Sequence, residues 1–447
     1  MVEQETLRLS MNFEETLQYL LSLGHETIAI KLGLRNTELL LESLDNPQKR
    51  FASVQIAGTN GKGSTAVMLD SICRAAKIQT GLFTSPHLLS ITERIKLNGS
   101  EISEEQFAMY ATEVRAAADN LLGQGKLEAL PTFFEQVTAI AFLAFRDASV
   151  RLAILETGLG GRLDATTVAG AETVAITPLA LDHQEYLGET LEQVASEKAA
   201  IIRPGVSAIV APQPAEALSV ILRRCAEVKV EPSLEMDQSR HRIERVTDDG
   251  RLAVTFETDK ERYQDVLLGL RGRHQIVNTS VAIRLAESLQ KKGVEIAKAP
   301  IIEGIETARH AGRLELLEGH PSFLFDGAHN PAGAQALREF LDEFVKRPVT
   351  LVFGAMNDKR LEEIATILFP VADHLILTQP DNVRAADVAQ LKILAARVVN
   401  DARVAAARSV SEALQNAKEI TPAHGVICVT GSLYLLGEVK AIMKETI

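Results

Sequence analysis

The chain has 447 residues, too many for one hydrophobic core, and is rich in aliphatic side chains with 4% aromatics and no tryptophan, a balance that suits two or three α/β domains. Its 47 Lys and Arg stand against 59 Asp and Glu, a net charge of −12, which excludes a general surface for nucleic acid or for an anionic membrane. Three cysteines far apart in the sequence, no apolar stretch of membrane-spanning length, and a start, MVEQETLRLSMNFEE, without a basic-then-apolar signal pattern lead us to expect a cytoplasmic protein.

In chain order, Val54, Ile56 and Ala57 suit a strand, and Ala66, Met68, Leu69 and Ile72 recur at helical spacing. The segment Gly58 to Thr65, GTNGKGST, therefore lies at a strand-to-helix turn. Glycines let a ligand come close to the backbone, and the amides and dipole of a first helical turn favour an anion. Lys62 adds a positive charge and Ser64 and Thr65 add hydroxyls for a phosphate or its magnesium ion. Gly63 stands between Lys62 and Ser64, so this is a variant of the strict P-loop pattern.

Further on, IQTGLFTSPHLLS gives a strand and a turn, Gln106 to Leu122 a helix, and PTFFEQVTAIAFLAF a buried helix. RLAILETGLGGRLDAT and ETVAITPLALDH read as strands that end in turns. Leu191 to Ile202 and Ala215 to Val228 read as helices around the strand VSAIVAP. This rhythm predicts a mostly parallel sheet covered on both faces, with ligands at the carboxyl ends of its strands. Arg240 to Leu270 breaks the rhythm with alternating patterns, which predicts a small antiparallel patch. After the helix HQIVNTSVAIRLAESLQKKG the alternation restarts, with strands near Phe323 to Asp326, Val349 to Phe353, His374 to Leu377 and Val426 to Thr430. The expected division is residues 1–308 and 309–447, two α/β domains of which the first is P-loop ATPase-like and the second Rossmann-like.

Four other places carry polar groups at predicted strand ends or helix faces. Glu156 follows the strand LAIL, and His183 follows ITPLALD. Either could serve a ligand or merely close its own turn. Lys198 sits in VASEKAAIIRPG beside apolar residues, and a lysine on a helix is ordinarily solvated. Asp326, His329 and Asn330 crowd into FLFDGAHNPAGA, where side chains can converge on a ligand. Arg313 lies at the domain boundary, within reach of a nucleotide bound by the other domain or of an interdomain ion pair.

Taken together, AGTNGKGST, FTSPHL, TERI, ETGLGGRLDATT, LDHQEYLGETLEQVASEKAAII, GRLE, FDGAHNPAG, VFGAMNDK and GSLYLLGEV, in this order over nearly the whole chain, resemble the folylpolyglutamate synthase and dihydrofolate synthase family, which is related to the Mur ligases. The resemblance implies an ATP-dependent ligase that joins glutamate to a carboxylate of dihydropteroate or a reduced folate through an acyl phosphate. It implies ATP bound by Gly58, Thr59, Asn60, Gly61, Lys62, Gly63 and Ser64, with Asn278, Arg313 and Asp326 as further contacts. Two magnesium ions would be held by Ser64, Ser85, Glu156, His183 and a carbamylated Lys198. Lys62, Lys198 and His329 would be catalytic. The acid and glutamate side would involve Thr132, Phe134, Glu135, Leu163, Asp164, Ala165, His329 and Ser432.

Two positions depart from the family pattern. His310 and Ala311 stand where Trp-Pro is usual before the Gly-Arg pair, and Lys31 stands where many bacterial members carry Asp. The resemblance further implies a bifunctional enzyme, through the GGRLDAT turn, and a monomer whose partners are small molecules. A Mur-type ligase acting on a UDP-muramoyl peptide and a nucleotide-switched binding protein are the alternatives that the residues leave open.

Overall fold

The computed structural model describes residues 10–24, 33–234, 240–345 and 348–445; Lys31 lies outside them. It contains two α/β units. The first is built on an eight-stranded sheet in the order β4-β3-β2-β5-β1-β6-β7-β8, the second on a six-stranded sheet in the order β12-β13-β17-β14-β15-β16. In the first, β1 (Ala52–Ala57), β2 (Thr80–Phe83), β5 (Leu152–Glu156), β6 (Thr173–Ile176), β7 (Ser207–Val210) and β8 (Ser233–Leu234) run parallel. The short β3 (Ile95–Leu97) and β4 (Ser100–Glu101) add an antiparallel edge.

The alternation of side chains along the central strands explains the two covered faces. Val54 and Ile56 of β1, with Leu152 and Ile154 of β5, face a core shared with the helices Lys62–Ala75, His274–Lys291 and Lys298–Thr307. Ala153 and Leu155 of β5 point the other way, into a core with the helices Phe13–Ser22, Arg35–Ser43, Glu104–Gly123 and Phe133–Asp147. The antiparallel patch expected between Arg240 and Leu270 is present as β9 (His241–Val246), β10 (Leu252–Glu257) and β11 (Arg262–Leu267), paired in the order β11-β10-β9.

In the second unit β12 (Glu315–Leu317) is antiparallel to β13 (Ser322–Asp326), while β13, β17 (Val426–Thr430), β14 (Val349–Phe353), β15 (His374–Leu377) and β16 (Val404–Ala406) run parallel. Every strand expected there is found within a residue or so of its expected bounds. The three cysteines Cys73, Cys225 and Cys428 are buried and unpaired. No described helix is long and apolar enough to cross a membrane.

Candidate active site

The loop after β1 lies where the chain order of the first sheet reverses: from β1 the chain leaves towards β2 on one side, and later returns to β6 on the other. Such a reversal opens a crevice at the carboxyl ends of the strands. The loop is tied to the neighbouring one, since the Thr59 and Asn60 amides each donate to the Pro178 carbonyl at 3.1 Å and Thr59 Oγ1 donates to the Ala180 carbonyl at 3.0 Å. Those two amides are thereby committed to the fold, and the anion cradle narrows to Gly61 and the first turn of the helix Lys62–Ala75, whose N-cap Gly61 supplies no side-chain cap. Gly61 has φ +86° and no room for a Cβ, which would stand 2.2 Å from Asn278 Oδ1.

Lys62 Nζ lies 3.4 Å from the Thr59 carbonyl, and its charge acts on three groups of the crevice, the buried Glu156 and Lys198 and the half-buried His183. Burial pushes the Glu156 carboxyl up, while Lys62, the Ser85 amide and the guanidinium groups of Arg313 and Arg94 pull it down. The Ser85 amide donates to Glu156 Oε2 at 3.2 Å, so the β2 and β5 loops meet there. The turn after Glu156 is closed instead by Asp164, which accepts from the Gly158 and Leu159 amides at 2.8 and 3.1 Å and from Thr166. Ala165 is buried next to it and Leu163 is half-buried.

Lys198 is not solvated. It is 4% exposed and donates to the Gly58 carbonyl at 2.8 Å. Burial first, then the charge of Lys62, lowers its pKa to about 7, so a large share of the amine is neutral near that pH. His183 adopts φ +51°, and burial lowers its pKa to about 4, which keeps the imidazole neutral and able to ligate.

The second unit reaches the crevice through the loops after β13 and β14. Asp326 accepts from the Leu314 and Ala328 amides at 2.9 and 3.0 Å; burial raises its pKa, and Arg313 opposes the rise. Arg313 donates to the Gly327 carbonyl at 3.2 Å. His329 Nδ1 donates to the same carbonyl at 2.8 Å, which turns Nε2 towards Asp182 Oδ2, 3.6 Å away. Asn330 caps the helix Pro331–Phe344 and donates to Asn60 Oδ1 at 3.1 Å and to Asp182 at 3.4 Å. Lys359, after β14, places Nζ 2.8 Å from Asp182 Oδ1.

Asp182 of the first unit thus gathers three groups of the second. Burial would raise its pKa, but the nearby His329 ring and the Lys359 ammonium hold the carboxyl well below its usual range. Asp182 and Lys359 received no role from the sequence, although both sit in the motifs LDHQEYLG and VFGAMNDK that carry the resemblance.

The remaining candidates are more dispersed. Thr132 and Glu135 form a capping box at the start of the helix Phe133–Asp147, and Glu135 also accepts from Thr37 Oγ1 at 2.9 Å. Phe134 stacks at a tilt on Phe83, 5.8 Å between centroids, and lies over Gly158. Ser432 is buried and accepts from the Leu435 amide at 3.1 Å. Asn278 donates to Gln275 Oε1 at 2.9 Å. Ser64 Oγ lies 3.2 Å from Nδ1 of His310, a half-buried residue whose pKa desolvation lowers to about 3.

The arrangement of two α/β units around a glycine-lysine loop is that of the Mur ligases: residues 56–286 match the Mur ligase middle domain and residues 312–433 the Mur ligase, glutamate ligase domain. Within that class, the chain belongs to the folylpolyglutamate synthase and dihydrofolate synthase family. It is 32% identical over 436 residues to the Bacillus subtilis dihydrofolate synthase/folylpolyglutamate synthase, covering 94% of this chain and 97% of that protein. A probable bifunctional folylpolyglutamate synthase/dihydropteroate synthase of Haloferax volcanii is 34% identical over 98% of this chain, which spans 51% of that longer protein.

Among solved structures, Mycobacterium tuberculosis folylpolyglutamate synthase complexed with ADP superposes with a TM-score of 0.87 at 31% identity, over 96% of this chain and 98% of that one. Escherichia coli FolC in complex with DHPP and ADP gives 0.85 at 29%, over 98% and 99%. A bifunctional folylpolyglutamate synthase/dihydrofolate synthase with Mn, AMPPNP and L-glutamate bound gives 0.83 at 27%, over 98% and 99%.

Proposed function

We propose that the protein uses ATP to add L-glutamate both to dihydropteroate and to reduced folates, and that it does so as a cytoplasmic monomer. The observation that carries this reading is the convergence on one crevice of the 58–64 loop, Lys62, Glu156 and Lys198 from residues 1–308 with Asp326, His329, Asn330 and Lys359 from residues 309–447, joined through Asp182.

A carboxylate is a poor acylating agent, so one of its oxygens must first become a leaving group. Attack of that oxygen on the γ-phosphorus of ATP forms a new P–O bond and releases ADP, leaving an acyl phosphate. The glutamate amine then attacks the acyl carbon, and phosphate and a proton depart. Lys62 and the amides from Gly61 onward offset the charge on the transferring phosphoryl group, chiefly by being in place beforehand. Gly58, Thr59, Asn60 and Gly63 shape the backbone that holds them. Asn278, Arg313 and Asp326 flank the nucleotide, and His329 and Ser432 lie on the glutamate side. Thr132, Phe134, Glu135, Leu163, Asp164 and Ala165 shape the pterin side from behind, Glu135 and Asp164 by fixing backbone.

The residues present suit magnesium, which prefers oxygen donors and commonly takes several of them from substrate phosphates. Among the described residues no cluster of three or more His, Cys, Asp and Glu could hold a metal by itself, in keeping with an ion shared with a nucleotide. Ser64, Ser85 and Glu156 would hold one ion, and His183 with a carbamate on Lys198 a second. Bound there, the metal supplies positive charge against the phosphates. Neutral Lys198 can add carbon dioxide with loss of one proton, turning a buried amine into a carboxylate-like ligand. The test is ADP formation by the purified protein with glutamate and either dihydropteroate or tetrahydrofolate. Turnover that needs both the acid and the amine supports a ligase, whereas ADP release independent of them refutes it.

A further inference from the structure

His310 belongs to neither unit's sheet. It lies on the segment between the helix Lys298–Thr307 and β12, yet its ring rests on the phosphate loop: a Cβ on Gly63 would stand 2.8 Å from His310 Cε1. The glycine that separates Lys62 from Ser64 therefore leaves the space that this ring fills.

The hydrogen bonds around the ring have one consistent direction. Asn278 Nδ2 donates to Gln275 Oε1 at 2.9 Å, which leaves the Gln275 Nε2 group to donate to Ser64 Oγ at 3.4 Å and to His274 Nε2 at 3.1 Å. Ser64 Oγ, already an acceptor, has its own proton for His310 Nδ1 at 3.2 Å. A hydroxyl oxygen has two lone pairs and one proton. With one lone pair taken by Gln275 and the proton by His310, a single lone pair remains for a ligand.

We propose that His310 is a positioning residue for the divalent cation that accompanies the nucleotide: by accepting the Ser64 proton it fixes the hydroxyl so that its remaining lone pair faces the metal. The linker between the units is thereby bonded to the metal-binding loop. This rests on the ligase reading above, and within it assigns a task to a position where the sequence departs from its family.

The test compares His310→Asn with His310→Leu in the full-length protein. The two side chains are nearly isosteric and leave the same cavity, but only Asn keeps an acceptor near the place of Nδ1. ADP binding is measured calorimetrically with magnesium and with EDTA. For His310→Leu we expect the magnesium-dependent gain in affinity to fall about tenfold, ~1.4 kcal/mol, with metal-free binding changed less than about twofold. His310→Asn should keep most of the gain. In a Ser64→Ala background, His310→Leu should add nothing further. Equal behaviour of the two variants, whether both keep or both lose the gain, overturns the proposal. Failure of the unsubstituted protein to bind ADP overturns the ligase reading as well, so the two failures are told apart.

Discussion

Lys62 is the group on which the crevice's electrostatics turn, because its ammonium acts on Glu156, His183 and Lys198 together. Replacing it by alanine at the solvent-reachable mouth of a helix should leave the fold intact and lower kcat by about 10²–10³-fold; steady-state rates with a thermal melt check this, and a fully active variant removes the phosphate role. Lys198 makes a pH prediction. Its pKa falls from 10.5 to about 7 on folding, so between these values the unfolded chain binds more protons than the folded one and stability rises with pH. Denaturant titrations in CO2-free buffer, referenced to Lys198→Met, should show the unsubstituted protein gaining on the variant from pH 7 to pH 10.5, and a flat difference would mean the amine is not held neutral. With CO2 present, a Lys198→Ala enzyme should lose most of its turnover and recover part of it with added short-chain carboxylic acids.

At the scale of an element, the loop after β1 shows how a helix start becomes a binding site. Four residues of turn, held by two amides on the Pro178 carbonyl, aim the uncapped first turn of the helix Lys62–Ala75 into the crevice. Gly61→Ala forces a Cβ into the left-handed region and onto Asn278, and should cost about 1–3 kcal/mol of stability; an unchanged urea midpoint would contradict that geometry. The strand and helix of this element were legible beforehand because their apolar periods are strong. That the Thr59 and Asn60 amides are already spent was not, since their acceptor is more than a hundred residues away. Asp164 differs in that its partners are close in sequence, yet the resemblance offered it only as a substrate-side residue, and the folded loop shows it bonded to Gly158, Leu159 and Thr166.

For the whole molecule, the contact to test is Asp182 with Lys359, a pair whose side chains are 10% and 9% exposed and which joins the two units at 2.8 Å. Removing one member of a buried pair leaves the other without its counter-charge, a loss of about 3–5 kcal/mol when no other partner remains; His329 and Asn330 soften it here. Lys359→Met should therefore loosen the two units, seen as a larger radius of gyration in small-angle scattering, and should lower turnover because the acyl phosphate is then less protected from water. Unchanged dimensions together with unchanged turnover would show that the pair is incidental.

The sequence by itself determined the two α/β units, the antiparallel patch and the glycine-lysine loop, because these follow from local period and from residue types that have few other uses. Its ordered motifs also determined the family. The tertiary structure alone decided that Lys198 is a buried amine with a lowered pKa, that Asp182 and Lys359 join the two units, and that His310 from the linker meets Ser64. The reason is physical: proton affinity and hydrogen-bond partnership depend on burial and on neighbours brought together by the fold, and no local pattern along the chain encodes them.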